Sequence, residues 1–85
     1  MAKVIVYEKL KCPYCLAAKR LLAQKGVEFE VRSVEGKPEE YEALKKRTGL
    51  MTVPQIFINE QLIGGYTDLA ALDEQGELDK LLNQD

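Results

Sequence analysis

The sequence predicts an α/β fold: one mixed four-stranded sheet with helices on both faces. Three observations carry this. A short β-branched run, Val4-Ile5-Val6-Tyr7, precedes a helical pattern that opens at Pro13. A segment of period two, residues 27–31, follows that helix. Two further short runs, 55–58 and 61–63, bracket Asn59-Glu60. Strand, helix and strand in that order make a unit whose strands run parallel through a right-handed crossover. Two strands around a two-residue turn make an antiparallel hairpin. A sheet with both kinds of pairing, covered by the intervening helices, is the layer arrangement that follows.

Each element has a local reason. Val4-Ile5-Val6-Tyr7 is apolar on both faces, as a strand in the middle of a sheet requires. Pro13 suits the first turn of a helix, where its fixed φ fits and its missing N–H is not needed. The helical pattern runs through Ala18, Leu21, Leu22 and Lys25 and stops at Gly26, placed to end it in the left-handed conformation. Residues 27–31 (Val-Glu-Phe-Glu-Val) alternate and predict a half-buried strand. Pro38-Glu39-Glu40 opens a second helix that closes on Lys45-Lys46-Arg47 and Gly49. Acids at its start and bases at its end complement the helix dipole. Gly64-Gly65 ends the hairpin. Thr67 is placed to cap a third helix, with Asp68 in its first turn and Leu69 and Leu72 on one face. Gly76 interrupts it, and Leu78, Leu81 and Leu82 form a last helical stub over the sheet. Tyr7 and Tyr41 read as packing residues. The order is β-α-β-α-β-β-α in a single domain spanning 1–85.

Composition narrows the function. Twelve basic and fourteen acidic residues leave a net charge of −2, which argues against a nucleic-acid partner held by bulk electrostatics. The absence of histidine rules out Ser-His-Asp and Cys-His catalysis within the chain. Two cysteines alone do not complete a tetrahedral zinc site without carboxylates or a second subunit. No stretch approaches the roughly 20 apolar residues of a membrane span. The first ten residues carry no export signal. The expected compartment is therefore the reducing cytoplasm, where two cysteines need a purpose other than a structural disulfide.

That purpose is visible in Cys12-Pro13-Tyr14-Cys15, which lies where the first strand hands over to the first helix. A Cys-x-x-Cys pair in this context reads as a thioredoxin-like redox dithiol. Cys12 falls at the helix N-terminus, where unpaired N–H groups and the dipole stabilise a thiolate, the nucleophilic form. Cys15 is one helical turn on and within reach of it. Without histidine, activation of Cys12 must come from the helix end and from Lys9 or Lys11. A metal half-site or two incidental thiols is the alternative reading. Two weaker signals accompany the dithiol. Thr52-Val53-Pro54 enters the third strand, with Val53 pushed toward extended geometry and able to pair with a peptide as an added strand. Gly64-Gly65-Tyr66-Thr67-Asp68 opens a helix whose free N–H groups suit a carboxylate, while Asp68 suits an amine. Alone, the first of these is equally a plain strand entry and the second an ordinary helix cap.

In order and spacing, these three motifs and Lys9 together resemble the glutaredoxin family over essentially the whole chain. The resemblance implies a thioredoxin-like fold and a glutathione-dependent thiol-disulfide oxidoreductase without a bound cofactor, glutathione being co-substrate. It implies Cys12 and Cys15 as the catalytic pair, a cis bond at Pro54 and a glutathione groove. There, Val53, flanked by Thr52 and Pro54, pairs its backbone with the cysteinyl part. Thr67 and Asp68, with Tyr66 beside them, take the γ-glutamyl end. Lys9 meets the glycine carboxylate, and Tyr14 flanks the sulfur. The expected partners are glutathione and glutathionylated or disulfide-containing proteins, with ribonucleotide reductase a family-level expectation, and no nucleic acid or membrane. The expected working form is a monomer with no metal. Lys11 departs from the family pattern, in which a threonine, serine or other neutral residue often precedes the first cysteine. It either adds positive potential at Cys12 or points away into solvent. A reductant recycled by a flavoprotein reductase, an iron–sulfur carrier sharing a cluster between two chains, and a metal-bound structural domain are the competing functions.

Overall fold

The computed structural model describes residues 2–84. Strand β1 (Val4–Glu8) leads into helix α1 (Pro13–Gln24), then β2 (Glu30–Ser33), α2 (Pro38–Thr48), β3 (Gln55–Ile58), β4 (Gln61–Gly64), α3 (Tyr66–Glu74) and α4 (Glu77–Leu82). The sheet order is β2-β1-β3-β4. β1 runs parallel to β2 and antiparallel to β3, and β4 is antiparallel to β3. The first strand, apolar through Val4-Ile5-Val6-Tyr7, is thus central, as that run requires. The hairpin turns through Asn59 and Glu60, both with positive φ (51° and 67°), the combination that matches the twist of its strands.

One face of the sheet carries the core. Val4, Val6, Ile56 and Ile58 pack against Ala18 and Leu22 of α1, Leu69 of α3, and Leu78 and Leu82 of α4. Lys25 at the end of α1 bridges Asp73 and Asp79 (2.5 and 3.0 Å), tying that helix to the C-terminal pair. On the opposite face α2 buries Leu44, and Arg47 stacks over the Phe57 ring at 5.1 Å.

Two boundaries differ from expectation. The second strand begins at Glu30, not residue 27, because pairing starts only at Ile5↔Glu30. Val27 and Phe29 still pack on the core, so their alternation records burial ahead of the ladder. The third helix is capped by Gly65 rather than Thr67, which sits second in the helix. The Asp68 carboxylate accepts the Gly65 N–H at 2.9 Å and does the capping from inside.

Candidate active site

The site forms where three chain segments meet at the carboxyl end of β1. Cys12 is the N-cap of α1, with extended backbone (φ −111°), and Pro13 occupies the first helical position. The Cys15 N–H donates to the Cys12 sulfur at 3.1 Å, so one of the orphan donors of the helix's first turn points at that atom. The two sulfurs are joined in a disulfide with Cα atoms 5.2 Å apart, within the span such a bond requires. Their surroundings differ: Cys12 is half-buried, whereas Cys15 is 1% exposed under the helix.

The second segment approaches from below. The Val53–Pro54 bond is cis, and the Val53 carbonyl oxygen lies 3.8 Å from the Cys12 sulfur. Pro54 is buried and Thr52 exposed. The third segment adjoins the second: a side chain at Gly65 would stand 3.6 Å from the Pro54 carbonyl. Gly64 (φ +121°) has a further reason to lack a side chain, since a Cβ there would collide with the Asp68 carboxylate. Tyr66 heads α3 with its ring 6.1 Å from that of Tyr14, which is 61% exposed. Thr67 and Asp68 are exposed in the first turn of α3.

Lys9 and Lys11 differ. The Lys9 ammonium sits over the ring of Tyr41, 4.2 Å from its centroid, and the hydroxyl of that tyrosine reaches the 50–53 loop at Met51. Lys11 is exposed, in the left-handed region (φ +54°) directly before Cys12. Leu10, Leu16 and Met51 are strongly exposed beside the dithiol or its loop, giving the site an apolar rim. Among the described residues no three His, Cys, Asp or Glu side chains converge as metal ligands. No helix of the described residues is long and apolar enough to cross a membrane.

Two residues here escaped sequence reasoning. Gln55 is completely buried, and its amide nitrogen donates to the carbonyls of Leu50 (3.2 Å) and Thr52 (3.1 Å). The Tyr41 hydroxyl donates to the Met51 carbonyl at 2.9 Å, so Tyr41 does more than pack. A glutamine in a strand carries no local signal that it will be buried. The nearest hint was its place directly after Pro54.

Known proteins match this chain in sequence and fold. The glutaredoxin family model matches residues 4–63. Glutaredoxin 3 of Escherichia coli is 52% identical over 82 residues, covering 96% of this chain and 99% of its own. A glutaredoxin of Pseudomonas aeruginosa is 47% identical over 83 residues, covering 98% and 99%. Among solved structures, a glutaredoxin from Brucella melitensis superposes with a TM-score of 0.86 at 46% identity, over 96% of this chain and 89% of that one. A buckwheat glutaredoxin–glutathione complex gives a TM-score of 0.89 at 28% identity, over 95% and 76%. With a family model over most of its length and near full-length relatives at about half identity, this chain belongs to the glutaredoxin family of glutathione-dependent thiol-disulfide oxidoreductases.

Proposed function

We propose that the chain reduces glutathione mixed disulfides through Cys12 alone, and protein disulfides through Cys12 and Cys15 together. The observation that carries this is the asymmetry of the pair: a half-buried sulfur at a helix N-cap, facing the Cys15 N–H, beside a buried one. In the first route the Cys12 thiolate attacks the glutathionyl sulfur. A bond forms between those two sulfurs, the substrate disulfide breaks, and the partner leaves as a thiolate. A second glutathione thiolate then attacks the bound glutathionyl sulfur, releasing oxidised glutathione and restoring Cys12. In the second route Cys12 forms the mixed disulfide with the target. The Cys15 thiolate displaces the target's second thiol and leaves the Cys12–Cys15 disulfide.

The groove beside Cys12 supplies the glutathione contacts. Val53 offers its backbone for strand-like pairing with the cysteinyl part, held between Thr52 and Pro54. The first-turn N–H groups of α3, at Thr67, receive the γ-glutamyl carboxylate. Asp68 uses one oxygen on Gly65 and has the other for the ammonium. Lys9 takes the glycine carboxylate, and Tyr14 and Tyr66 form the wall. The buckwheat relative, solved as a complex with glutathione, supports glutathione as the ligand. The protein partners are glutathionylated or disulfide-bonded proteins of the cytoplasm, ribonucleotide reductase among them, and the chain acts as a monomer.

The test is turnover of a glutathionylated peptide with glutathione and glutathione reductase, set against a thioredoxin-reductase system on the same substrate. Turnover in the first system only is expected. Turnover in the second only would assign the chain to the flavoprotein-recycled reductants.

A further inference from the structure

The loop that carries Val53 to the dithiol is not left to its own backbone. Three consecutive carbonyls, Leu50, Met51 and Thr52, each accept a hydrogen bond from a side chain elsewhere in the fold. The Gln55 amide nitrogen takes Leu50 and Thr52 from β3, and the Tyr41 hydroxyl takes Met51 from α2. At the loop's start, the Leu50 N–H donates to the Thr48 hydroxyl at 3.1 Å. Val53, the next residue, has no such side-chain bond among the described residues and faces the Cys12 sulfur at 3.8 Å. Gln55 accepts an unfavourable position to do this. Its side chain is wholly buried, and its amide oxygen has no partner among the described residues. An orphaned buried acceptor is rare enough in proteins to require an explanation. Turning the amide over would aim its oxygen at two carbonyl oxygens, so the loop itself fixes the orientation.

Tyr41 reaches further. Its ring carries the Lys9 ammonium at 4.2 Å and the Lys45 ammonium at 4.5 Å. Lys45 is anchored by Glu42 at 2.6 Å, and that carboxylate raises its pKa above the ordinary lysine value. Lys9 has no such carboxylate among the described residues. One side chain therefore ties the Val53 loop, through its hydroxyl, to Lys9, through its ring face.

We propose that Tyr41 and Gln55 are positioning residues that clamp the 50–52 carbonyls inward, so that the Val53 backbone and the Lys9 ammonium are held ready for the cysteinyl part and the glycine carboxylate of glutathione. This rests on the assignment of Val53 and Lys9 to glutathione given above. A peptide that adds as a strand needs its template backbone fixed beforehand, because ordering it on binding subtracts from affinity.

The experiment compares wild type with Tyr41→Phe, Tyr41→Leu and Gln55→Met. Steady-state kinetics on a glutathionylated peptide are paired with hydrogen exchange of the 50–53 amides and thermal unfolding. Tyr41→Phe keeps the ring under Lys9 and removes only the bond to Met51. It is expected to raise KM about three- to tenfold, leave kcat within about twofold, and speed exchange at 51–53. Tyr41→Leu also removes the lysine platform and is expected to raise KM further than Tyr41→Phe. Gln55→Met keeps volume, loses two bonds, and is expected to exceed Tyr41→Phe in both readouts. Unchanged KM in Tyr41→Phe and Gln55→Met, with only a lowered unfolding temperature or faster exchange, would overturn the clamp. A wild type without turnover on this substrate overturns the glutathione assignment itself and is seen before any variant is compared.

Discussion

Cys12 and Cys15 stand one helical turn apart on α1, yet their surroundings have little in common. Cys12 is half-buried at the N-cap, faces the Val53 carbonyl, and is flanked by Lys11 and the exposed Leu10. Cys15 points into the protein and is 1% exposed. A thiolate at a helix N-terminus is stabilised, and a thiol in apolar surroundings is held protonated. The same four residues therefore give the two sulfurs different settings, by place on the helix end and by burial. In the proposed mechanism the outer sulfur meets substrates, and the inner one meets only what is already bonded to the outer. The chain has no histidine, so in the proposed mechanism the helix end takes the place an imidazolium has elsewhere.

The most severe way to break the comparison is Cys12→Ser, which is expected to reduce turnover of both glutathione mixed disulfides and protein disulfides to the blank rate. Cys15→Ser should divide the two activities. Protein-disulfide reduction is lost, while deglutathionylation stays within a few-fold of wild type in the same coupled assay. Loss of both in the Cys15 variant would show that the roles are not separated. A smaller effect is expected from Asp68→Ala, which removes a proposed ammonium partner and a helix cap together. The cap contributes about 0.5–2 kcal/mol, read as a lowered urea midpoint. The charge-assisted contact predicts a rise in KM of about tenfold or more. The smallest change is Lys11→Thr. Removing an exposed cation next to Cys12 should slow its alkylation at pH 6 by less than about threefold, an effect that fades in high salt. No change at low salt would place Lys11 among the merely solvated lysines.

The dithiol was legible because its chemistry is local. Proline at the first helical position and a three-residue spacing fix where both sulfurs lie before any tertiary contact is known. The hairpin was legible for the same reason, its turn lying between two short runs of suitable composition. The start of β2 was not. Period two reports which side chains turn inward, and Val27 and Phe29 do, but hydrogen-bond pairing depends on where β1 stands, and it begins at Glu30. Val31, expected on the buried side, is 41% exposed. The helix cap was misplaced because Thr67 has the usual capping oxygen, whereas the fold caps Gly65 from Asp68. Gln55 and Tyr41 lay beyond sequence reasoning altogether. Their partners are set by how α2 and β3 close around the 50–53 loop, and neither residue type announces such a contact.

The central claim, that Cys12 attacks and Cys15 waits, is tested most directly on the reduced protein by limiting alkylation near pH 6 with peptide mass mapping. The account predicts label on Cys12 with Cys15 unmodified, and a Cys12 rate that levels off once its thiolate is fully formed as pH rises. Label appearing first on Cys15, or on both cysteines at equal rates, would contradict it.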